Sequence, residues 1–261
     1  MPRFSANLGF LWTELSLPDA VRRAAAVGFD AVECHFPYNN DPLRIKEALE
    51  ETHLSMLSIN TSLGVNGTDD FGVLARVDRQ DEAKHCIDKA IEYAAAIGAK
   101  NINAVAGKTE ADEESEAVYR RHLLYACEQA RPYGITILIE PMNQRDVPNY
   151  HVKTIEQAIT TIKAVGVKNL KLLFDCYHTQ ISQGDLTERL RAALPYIGHI
   201  QFASVPGRQE PELGEVNYLY LFSKLDEMGW EGFVGAEYRP QGLTEDGLAW
   251  LDAYQSASNY Y

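Results

Sequence analysis

One phrase recurs five times along this chain: an amphipathic helical pattern, a glycine, a few residues, and then a run of β-forming side chains. The phrases read AAAVGFDAVECHF, AAAIGAKNINAVAG, ARPYGITILIE, KAVGVKNLKLLFD and DEMGWEGFVGAE. Helices often end with a left-handed residue, a conformation that costs glycine least. Each phrase therefore predicts a helix that ends at its glycine and turns directly into a strand. The glycines are Gly28, Gly98, Gly134, Gly166 and Gly229.

Eight predicted strands alternate with helices along the chain. Their approximate ranges are 3–9, 29–35, 53–60, 101–106, 135–140, 170–175, 197–203 and 232–237, and a last helix is predicted near 244–255. Strands separated by helices pair in parallel through crossover connections. Eight such units in 261 residues match an α/β fold of the (β/α)8 TIM barrel type, with residues 1–261 forming one domain. A doubly wound open sheet is the alternative, but it would favour a glycine-rich nucleotide motif, and neither G-x-G-x-x-G nor G-x-x-x-x-G-K-[ST] occurs.

The charge of the chain limits its partners. Asp and Glu number 37 against 24 Lys and Arg, which gives a formal net charge of -13. Nucleic-acid binding depends on basic residues that neutralise phosphates, so we expect no nucleic acid partner. An anionic substrate would need a local positive site to offset the overall field.

Neither a secretion signal nor an apolar run long enough to span a bilayer is evident, so we expect no membrane partner. The four cysteines are widely separated and form no C-x-x-C pair. Free thiols in a reducing compartment are the simplest interpretation, which predicts a cytoplasmic protein. The sequence leaves an oligomer open.

Polar residues end four consecutive predicted strands. Strand residues alternate between the interior of a barrel and the surrounding helices. In the strand 135–140 the isoleucines would face the helices, which makes Glu140 the last inward residue. The same alternation turns Asp175, Gln201 and Glu237 inward on the next three strands. Barrel enzymes carry out their chemistry at this C-terminal end, so the four side chains are candidates for one site.

Three carboxylates that converge on one mouth repel one another unless a cation or other partners separate them. Oxygen ligands favour Mg²⁺ or Mn²⁺, and Co²⁺ is a further candidate. Zinc is less favoured, because no Cys or His pair has its usual spacing. Any one of these acids is about as often a helix cap or a solvated loop residue. Four in register on adjacent strands make a metal site the better interpretation.

Seven segments resemble the hydroxypyruvate isomerase family, which belongs to the xylose-isomerase-like barrels. They read RFSANLGFL, VECHFPY, INAVAGK, ILIEPMNQRDVPNY, LLFDCYH, HIQFASVPGRQEPELGEVNY and GAEYRPQG. The resemblance implies that Glu140, Asp175, Gln201 and Glu237 bind the metal, and that Glu140 and Glu237 also act as proton donor and acceptor. Related ketose 3-epimerases usually carry histidine where this chain has Gln201, which favours the isomerase branch. The segment 59–80 departs from the family pattern.

The family resemblance implies a metal-dependent aldose–ketose type isomerase that interconverts hydroxypyruvate and 2-hydroxy-3-oxopropanoate. The proton would move between neighbouring carbons through an enediolate, with one glutamate removing it and the other supplying its replacement. Two sister activities stay open, a 2-oxo-tetronate isomerase and a ketose 3-epimerase acting on a non-phosphorylated sugar. A non-catalytic sugar- or metal-binding barrel is a further alternative. A DNA endonuclease of the same barrel type is disfavoured by the acidic charge.

The predicted substrate is small and either anionic or sugar-like, and three residues are candidates for binding it. Lys108 at the end of the fourth strand and Arg208 after the seventh could offset a carboxylate. His178, three residues past Asp175, could hydrogen-bond the substrate or tune the site. A solvated loop cation and a structural histidine are about equally common roles for such residues.

Two asparagines complete the candidate substrate-binding set. Asn7 and Asn60 end the first and third strands, where they could line the pocket. Glu33 and His35 on the second strand also face inward. They are candidates either for reaching the pocket or for forming a buried structural pair.

Overall fold

Eight parallel strands follow one another around a barrel in the computed structural model, which describes residues 2–257. The strands are β1 (Arg3–Asn7), β2 (Ala31–Glu33), β3 (Ser58–Asn60), β4 (Asn101–Asn103), β5 (Thr136–Ile139), β6 (Leu170–Asp175), β7 (Ile197–Phe202) and β8 (Phe233–Ala236). They pair in the order β2-β1-β8-β7-β6-β5-β4-β3. The ring closes between β2 and β3, where Val32 bridges Met56 and the Asn60 amide donates to the His35 carbonyl over 2.8 Å. This architecture confirms the predicted (β/α)8 barrel.

Helices fill the connections between the strands. They are α1 (Leu17–Ala26), α2 (Pro42–Thr52), α3 (Gln80–Ile97), α4 (Glu113–Ala130), α5 (Ile155–Val165), α6 (Cys176–Ser182), α7 (Leu186–Ala193), α8 (Tyr218–Glu227) and α9 (Ala249–Ala257). All five predicted helix-ending glycines have the left-handed φ that their position requires. In α3 and α5, Gly98 and Gly166 directly follow the last helical residue. Strand β6 has its predicted bounds, and the other seven are shorter than predicted, most of all β2, β3 and β4.

Strand residues alternate as the sequence pattern predicts. Ile137 and Ile139 of β5 belong to the hydrophobic cluster between the strands and the helices. Leu138 of β5 and Leu173 of β6 occupy the alternate positions of their strands, and they are buried but lie outside that cluster. The two sides of the β wall are therefore distinct, and the alternation of side chains along each strand decides which residues reach the barrel interior.

A buried polar pair occupies the interior below the mouth of the barrel. His199 on β7 contacts Glu33 on β2 through its Nε2 atom, 2.7 Å from the carboxylate Oε2. Gly235 on β8 provides the space, because a Cβ atom there would lie 1.9 Å from Glu33 Oε1. Glu33 and His199 are both almost completely buried, so they compensate each other's desolvation.

The C-terminal ends of β5 to β8 meet at one mouth. Asp175 on β6 is the register partner of Gln201 on β7, which in turn is the partner of Gly235 on β8. Glu237 lies two residues beyond Gly235 and therefore faces the same interior. In the part of the chain that the structure describes, no helix is both long and apolar enough to cross a membrane.

Candidate active site

The four predicted strand-end residues are buried at the C-terminal mouth of the barrel. Glu140, Asp175, Gln201 and Glu237 all have less than a tenth of their surface exposed. Buried carboxyl groups are costly without partners, so the contacts of each one indicate what it can do.

Glu140 and Asp175 form a close cluster with His178, in which one potential ligand atom from each lies within 4.8 Å of the others. His178 Nε2 is 3.9 Å from Glu140 Oε1 and 3.6 Å from Asp175 Oδ2. Asp175 caps helix α6 by accepting from the Tyr177 amide over 2.7 Å, and His178 lies one residue further along. By distance alone, this triad could hold a metal ion.

The second nitrogen of His178 fixes its role. Nδ1 accepts from the backbone N–H of Asn143 over 3.3 Å and lies 2.7 Å from the side-chain Nδ2 of the same residue. The amide orientation of Asn143 is settled by its Oδ1, which accepts from the Asp146 amide over 2.8 Å. Burial, followed by the charge of Arg208, lowers the pKa of His178 to about 3, so the imidazole is neutral. A neutral ring with an accepting Nδ1 carries its proton on Nε2, which makes it a donor facing the two carboxylates.

Among the described residues, two buried oxygens of the four strand-end side chains have no hydrogen-bond partner: Asp175 Oδ2 and Gln201 Oε1. Gln201 donates its Nε2 to Glu33 Oε2 over 3.1 Å, which leaves the amide oxygen unpaired. Because Asp175 and Gln201 are register partners, the two orphaned acceptors lie on adjacent strands. Unpaired carboxylate and amide oxygens are the ligands that hard divalent cations take, so this donor set fits a cation of that class.

Glu237 is held by three donors. Arg208 Nη2 lies 2.6 Å from its Oε2, while His35 Nε2 and Asn7 Nδ2 lie 2.7 Å and 3.1 Å from its Oε1. The same Arg208 nitrogen is 3.5 Å from Asp175 Oδ2, so the guanidinium contacts both carboxylates. The structure therefore links Glu237 to Asp175 through Arg208 rather than placing it in the cluster of Glu140, Asp175 and His178.

The two glutamates have opposite electrostatic environments. Burial raises the pKa of Glu140 well above its ordinary value, and the charges of Glu237 and Asp175 raise it further. Burial also acts to raise the pKa of Glu237, but the Arg208 charge and the His35 hydrogen bond outweigh it and lower that pKa to about 2. Without a bound cation, Glu140 is therefore the glutamate whose surroundings favour the protonated form, and Glu237 is the one whose surroundings favour the carboxylate. Such a divided pair is typical of acid and base groups.

A cavity of about 200 Å³ lies above these groups. Its walls combine apolar and polar side chains: Phe10, His35, Phe36, Asn60, Leu63, Thr68, Phe71, Val105, Glu140, Met142, Val147, His178, Arg208, Glu237 and Arg239. This volume suits a substrate of a few carbon atoms. Leu63, Thr68 and Phe71 come from the segment that departs from the family pattern, so that segment shapes part of the wall.

The predicted substrate-binding residues have different locations. Asn60, His178 and Arg208 line the cavity. Asn7 contacts the site through Glu237. Lys108 does not line it, because its ammonium donates to the Thr68 carbonyl over 3.0 Å at the rim.

Sequence reasoning missed three residues of the site. Asn103 donates to Glu140 Oε2 over 2.7 Å, Asn143 fixes the ring of His178, and Arg239 lines the cavity. The alternation of side chains along a strand could have found Asn103, which is the register partner of the inward Leu138. Arg239 and Asn143 lie in loops, where this alternation gives no signal.

Comparisons with known proteins support the same fold and class of enzyme. The family model described as xylose isomerase-like TIM barrel matches residues 21–254. A 2-oxo-tetronate isomerase from Cupriavidus necator is 40% identical over 257 residues, which cover 97% of this chain and 99% of the relative. Hydroxypyruvate isomerase from Escherichia coli K12 is 38% identical over 258 residues, covering 98% of this chain and all of the relative (100%).

A solved structure is also similar over nearly the whole chain. The crystal structure described as AP endonuclease, family 2, from Brucella melitensis superposes with a TM-score of 0.93 at 38% identity, covering 97% of this chain and 99% of that one. The curated relatives exceed the identity and coverage at which family membership is secure. The chain belongs to the hydroxypyruvate isomerase family of xylose isomerase-like TIM barrels, and it is an isomerase.

Proposed function

We propose that this isomerase interconverts the ketone and aldehyde forms of a short 2-oxo acid and requires a divalent cation. Hydroxypyruvate and 2-hydroxy-3-oxopropanoate are the favoured pair. The observation that carries the proposal is the pairing of Glu140 and Glu237, two glutamates in opposite environments, at one small cavity. Moving a proton between adjacent carbons requires one group that accepts it and another that supplies it.

The cation would be held by Asp175 and Gln201, together with one oxygen each from Glu140 and Glu237. The orphaned Asp175 Oδ2 and Gln201 Oε1 support these two residues as ligands, and the family resemblance adds the two glutamates. Mg²⁺ or Mn²⁺ suits four oxygen donors best, and Co²⁺ is a further candidate. When bound, the cation supplies Lewis-acid polarisation of the substrate oxygens. His178 contributes a hydrogen bond from Nε2 rather than a ligand.

The proton chemistry is assigned from the contacts of the two glutamates. Arg208, His35 and Asn7 hold Glu237 as a carboxylate, which suits it to take the proton from C3 of hydroxypyruvate. The electron pair left at C3 forms the C2–C3 double bond of an enediolate. Glu140 then delivers a proton to C2, while the hydroxyl proton on O3 passes to O2 as the aldehyde forms at C3, and the reverse reaction exchanges the roles of the two glutamates.

A 2-oxo-tetronate is the second candidate substrate, because the relative that carries this name is 40% identical over nearly the full chain. Both candidates are 2-oxo acids and would use the same two glutamates. Their difference in length would be decided by the cavity wall, to which Phe71 and Leu63 contribute.

Other partners fit the chain less well. The net charge of -13 opposes binding of DNA phosphates, so a nucleic acid substrate is disfavoured. The four cysteines are separate buried thiols, which suits a reducing compartment such as the cytoplasm.

A panel of substrates tests the proposal after the protein has been stripped of metal and reloaded. We expect turnover of hydroxypyruvate or a 2-oxo-tetronate with Mn²⁺ or Mg²⁺, and loss of that turnover in the stripped protein. Turnover of neutral ketoses alone would replace the proposal with a ketose 3-epimerase. No turnover of any substrate with either cation would favour a non-catalytic binding barrel.

A further inference from the structure

Two arginines line the cavity, and both stack on the same aromatic ring. The Cζ atoms of Arg208 and Arg239 lie 5.1 Å and 5.2 Å from the centroid of Phe10. The backbones are also joined, because the Arg239 amide donates to the Arg208 carbonyl over 2.7 Å. Two guanidinium groups are thus brought to one side of a small cavity, although like charges repel.

The two arginines differ in their acidic partners. Arg208 contacts Glu237 at 2.6 Å and Asp175 at 3.5 Å, so its charge is offset within the site. Within residues 2–257, the Arg239 guanidinium has its contact with Phe10 and pairs with no carboxylate. Acidic residues outnumber basic ones in this chain by 37 to 24. An arginine that lines the cavity and has no carboxylate partner is therefore available to bind an anion from solution.

From this contrast we infer that Arg239 binds the carboxylate of the substrate and thereby selects 2-oxo acids over neutral ketoses. The inference rests on the proposed function, which it extends by naming the residue that recognises the acid group. A guanidinium donates two parallel hydrogen bonds to a carboxylate, which gives both charge and direction. The contact with Phe10 restricts the position of the guanidinium before the substrate arrives.

The other cations near the cavity have different contacts. Lys108 donates to the Thr68 carbonyl and lies outside the lining. Arg208 keeps Glu237 ionised, and moving its charge to the substrate would weaken that interaction. Arg239 can bind a carboxylate without disturbing either glutamate.

The test compares Arg239→Gln and Arg239→Lys with a control, Arg44→Gln, which removes one exposed charge from helix α2. Kinetics of the metal-loaded proteins are measured with hydroxypyruvate and with dihydroxyacetone, its neutral counterpart in which CH₂OH replaces the carboxylate. We expect Arg239→Gln to raise KM for hydroxypyruvate about 10- to 100-fold, the range for a lost hydrogen bond to a charged group, while kcat changes far less. Arg239→Lys should fall between wild type and Arg239→Gln, since it keeps the charge but loses the planar fork. Selectivity against dihydroxyacetone should fall in Arg239→Gln, and Arg44→Gln should match wild type.

Calorimetric titration with pyruvate provides a second readout that needs no turnover. Binding by wild type and its loss in Arg239→Gln would support the carboxylate site even if no substrate in the panel reacts, in which case the proposed function alone would fail. An Arg239→Gln protein with wild-type KM and wild-type pyruvate affinity would overturn the inference. So would a wild-type protein that does not bind pyruvate. Circular dichroism confirms that each exposed substitution leaves the fold intact.

Discussion

The substitution Glu140→Gln should stabilise the metal-free protein at neutral pH while abolishing turnover. Glu140 is buried beside Asp175, and its pKa is raised by burial and by the neighbouring carboxylates. In the unfolded chain its pKa returns to the ordinary value of 4.5. Between these two pKa values the folded protein binds more protons than the unfolded chain, so its stability falls as pH rises.

The size of this change in stability follows from the difference in proton binding between the folded and unfolded states. While Glu140 keeps its proton in the folded state and loses it on unfolding, each pH unit lowers the free energy of unfolding by about 1.4 kcal/mol. Glutamine has no proton to release, and its amide oxygen can still accept from Asn103. Relative to wild type, the variant should therefore gain stability as the pH rises from 5 to 7, by at most about 1.4 kcal/mol for each pH unit. Urea unfolding of metal-free proteins at pH 5, 6 and 7 measures this difference directly.

Glu116→Gln is a matched control, because the pKa of Glu116 is shifted in the opposite direction to that of Glu140. Glu116 on α4 accepts from His151, Thr161 and Arg120 at 3.0, 2.7 and 2.7 Å. Burial acts to raise its pKa, but these partners outweigh it and the pKa is lowered from 4.5. Its stabilising contribution is therefore complete above about pH 4.5 and is lost only as pH falls further.

The control should thus be destabilised by an amount that stays constant from pH 5 to pH 7. A Glu140→Gln protein whose stability relative to wild type is also constant over that range would refute the electrostatic description of the site. A variant that becomes less stable than wild type at pH 7 would refute it as well.

Two further substitutions test the roles of individual contacts. Glu237→Gln removes the proposed base and should lower kcat about 10²- to 10⁴-fold with a smaller change in KM, as measured by steady-state kinetics with hydroxypyruvate. Activity close to that of wild type would contradict the assignment. Glu33→Gln alters the acceptor that holds Gln201 Nε2 at 3.1 Å, so the amide oxygen loses its fixed direction. We expect the affinity for Mn²⁺, measured by calorimetric titration, to fall about 10- to 100-fold, as for other residues that orient metal ligands. An unchanged affinity would mean that Gln201 is not a ligand.

Features that depend on local sequence order were predictable. The left-handed glycines after α3 and α5 follow from helix termination, and parity alone placed Glu140 and Asp175 inward at the mouth. Both rules act over a few residues and need no knowledge of distant contacts. The roles of these side chains as ligands and proton carriers stay predictions, since distances alone do not establish them.

Features that depend on contacts distant in sequence were not predictable. Arg208 has a left-handed φ of 53° in the loop after β7, and its position between Glu237 and Asp175 follows from the path of that loop. Lys108 and Arg239 both follow strands, yet only Arg239 lines the cavity, because the Thr68 carbonyl binds the lysine. The alternation of side chains along a strand does not extend into loops, so the sequence alone could not show which of these two cations lines the cavity.

Isomerisation in D₂O is the most direct test of proton transfer between two carboxyl groups. A single turnover of hydroxypyruvate on the metal-loaded enzyme is followed by NMR of the 2-hydroxy-3-oxopropanoate that forms. Because the group that supplies the proton exchanges with solvent, the account predicts deuterium at C2 of the product. Hydrogen carried intact from C3 to C2 would show either a hydride shift or proton transfer by a single base shielded from solvent, and both would contradict the roles given to Glu140 and Glu237.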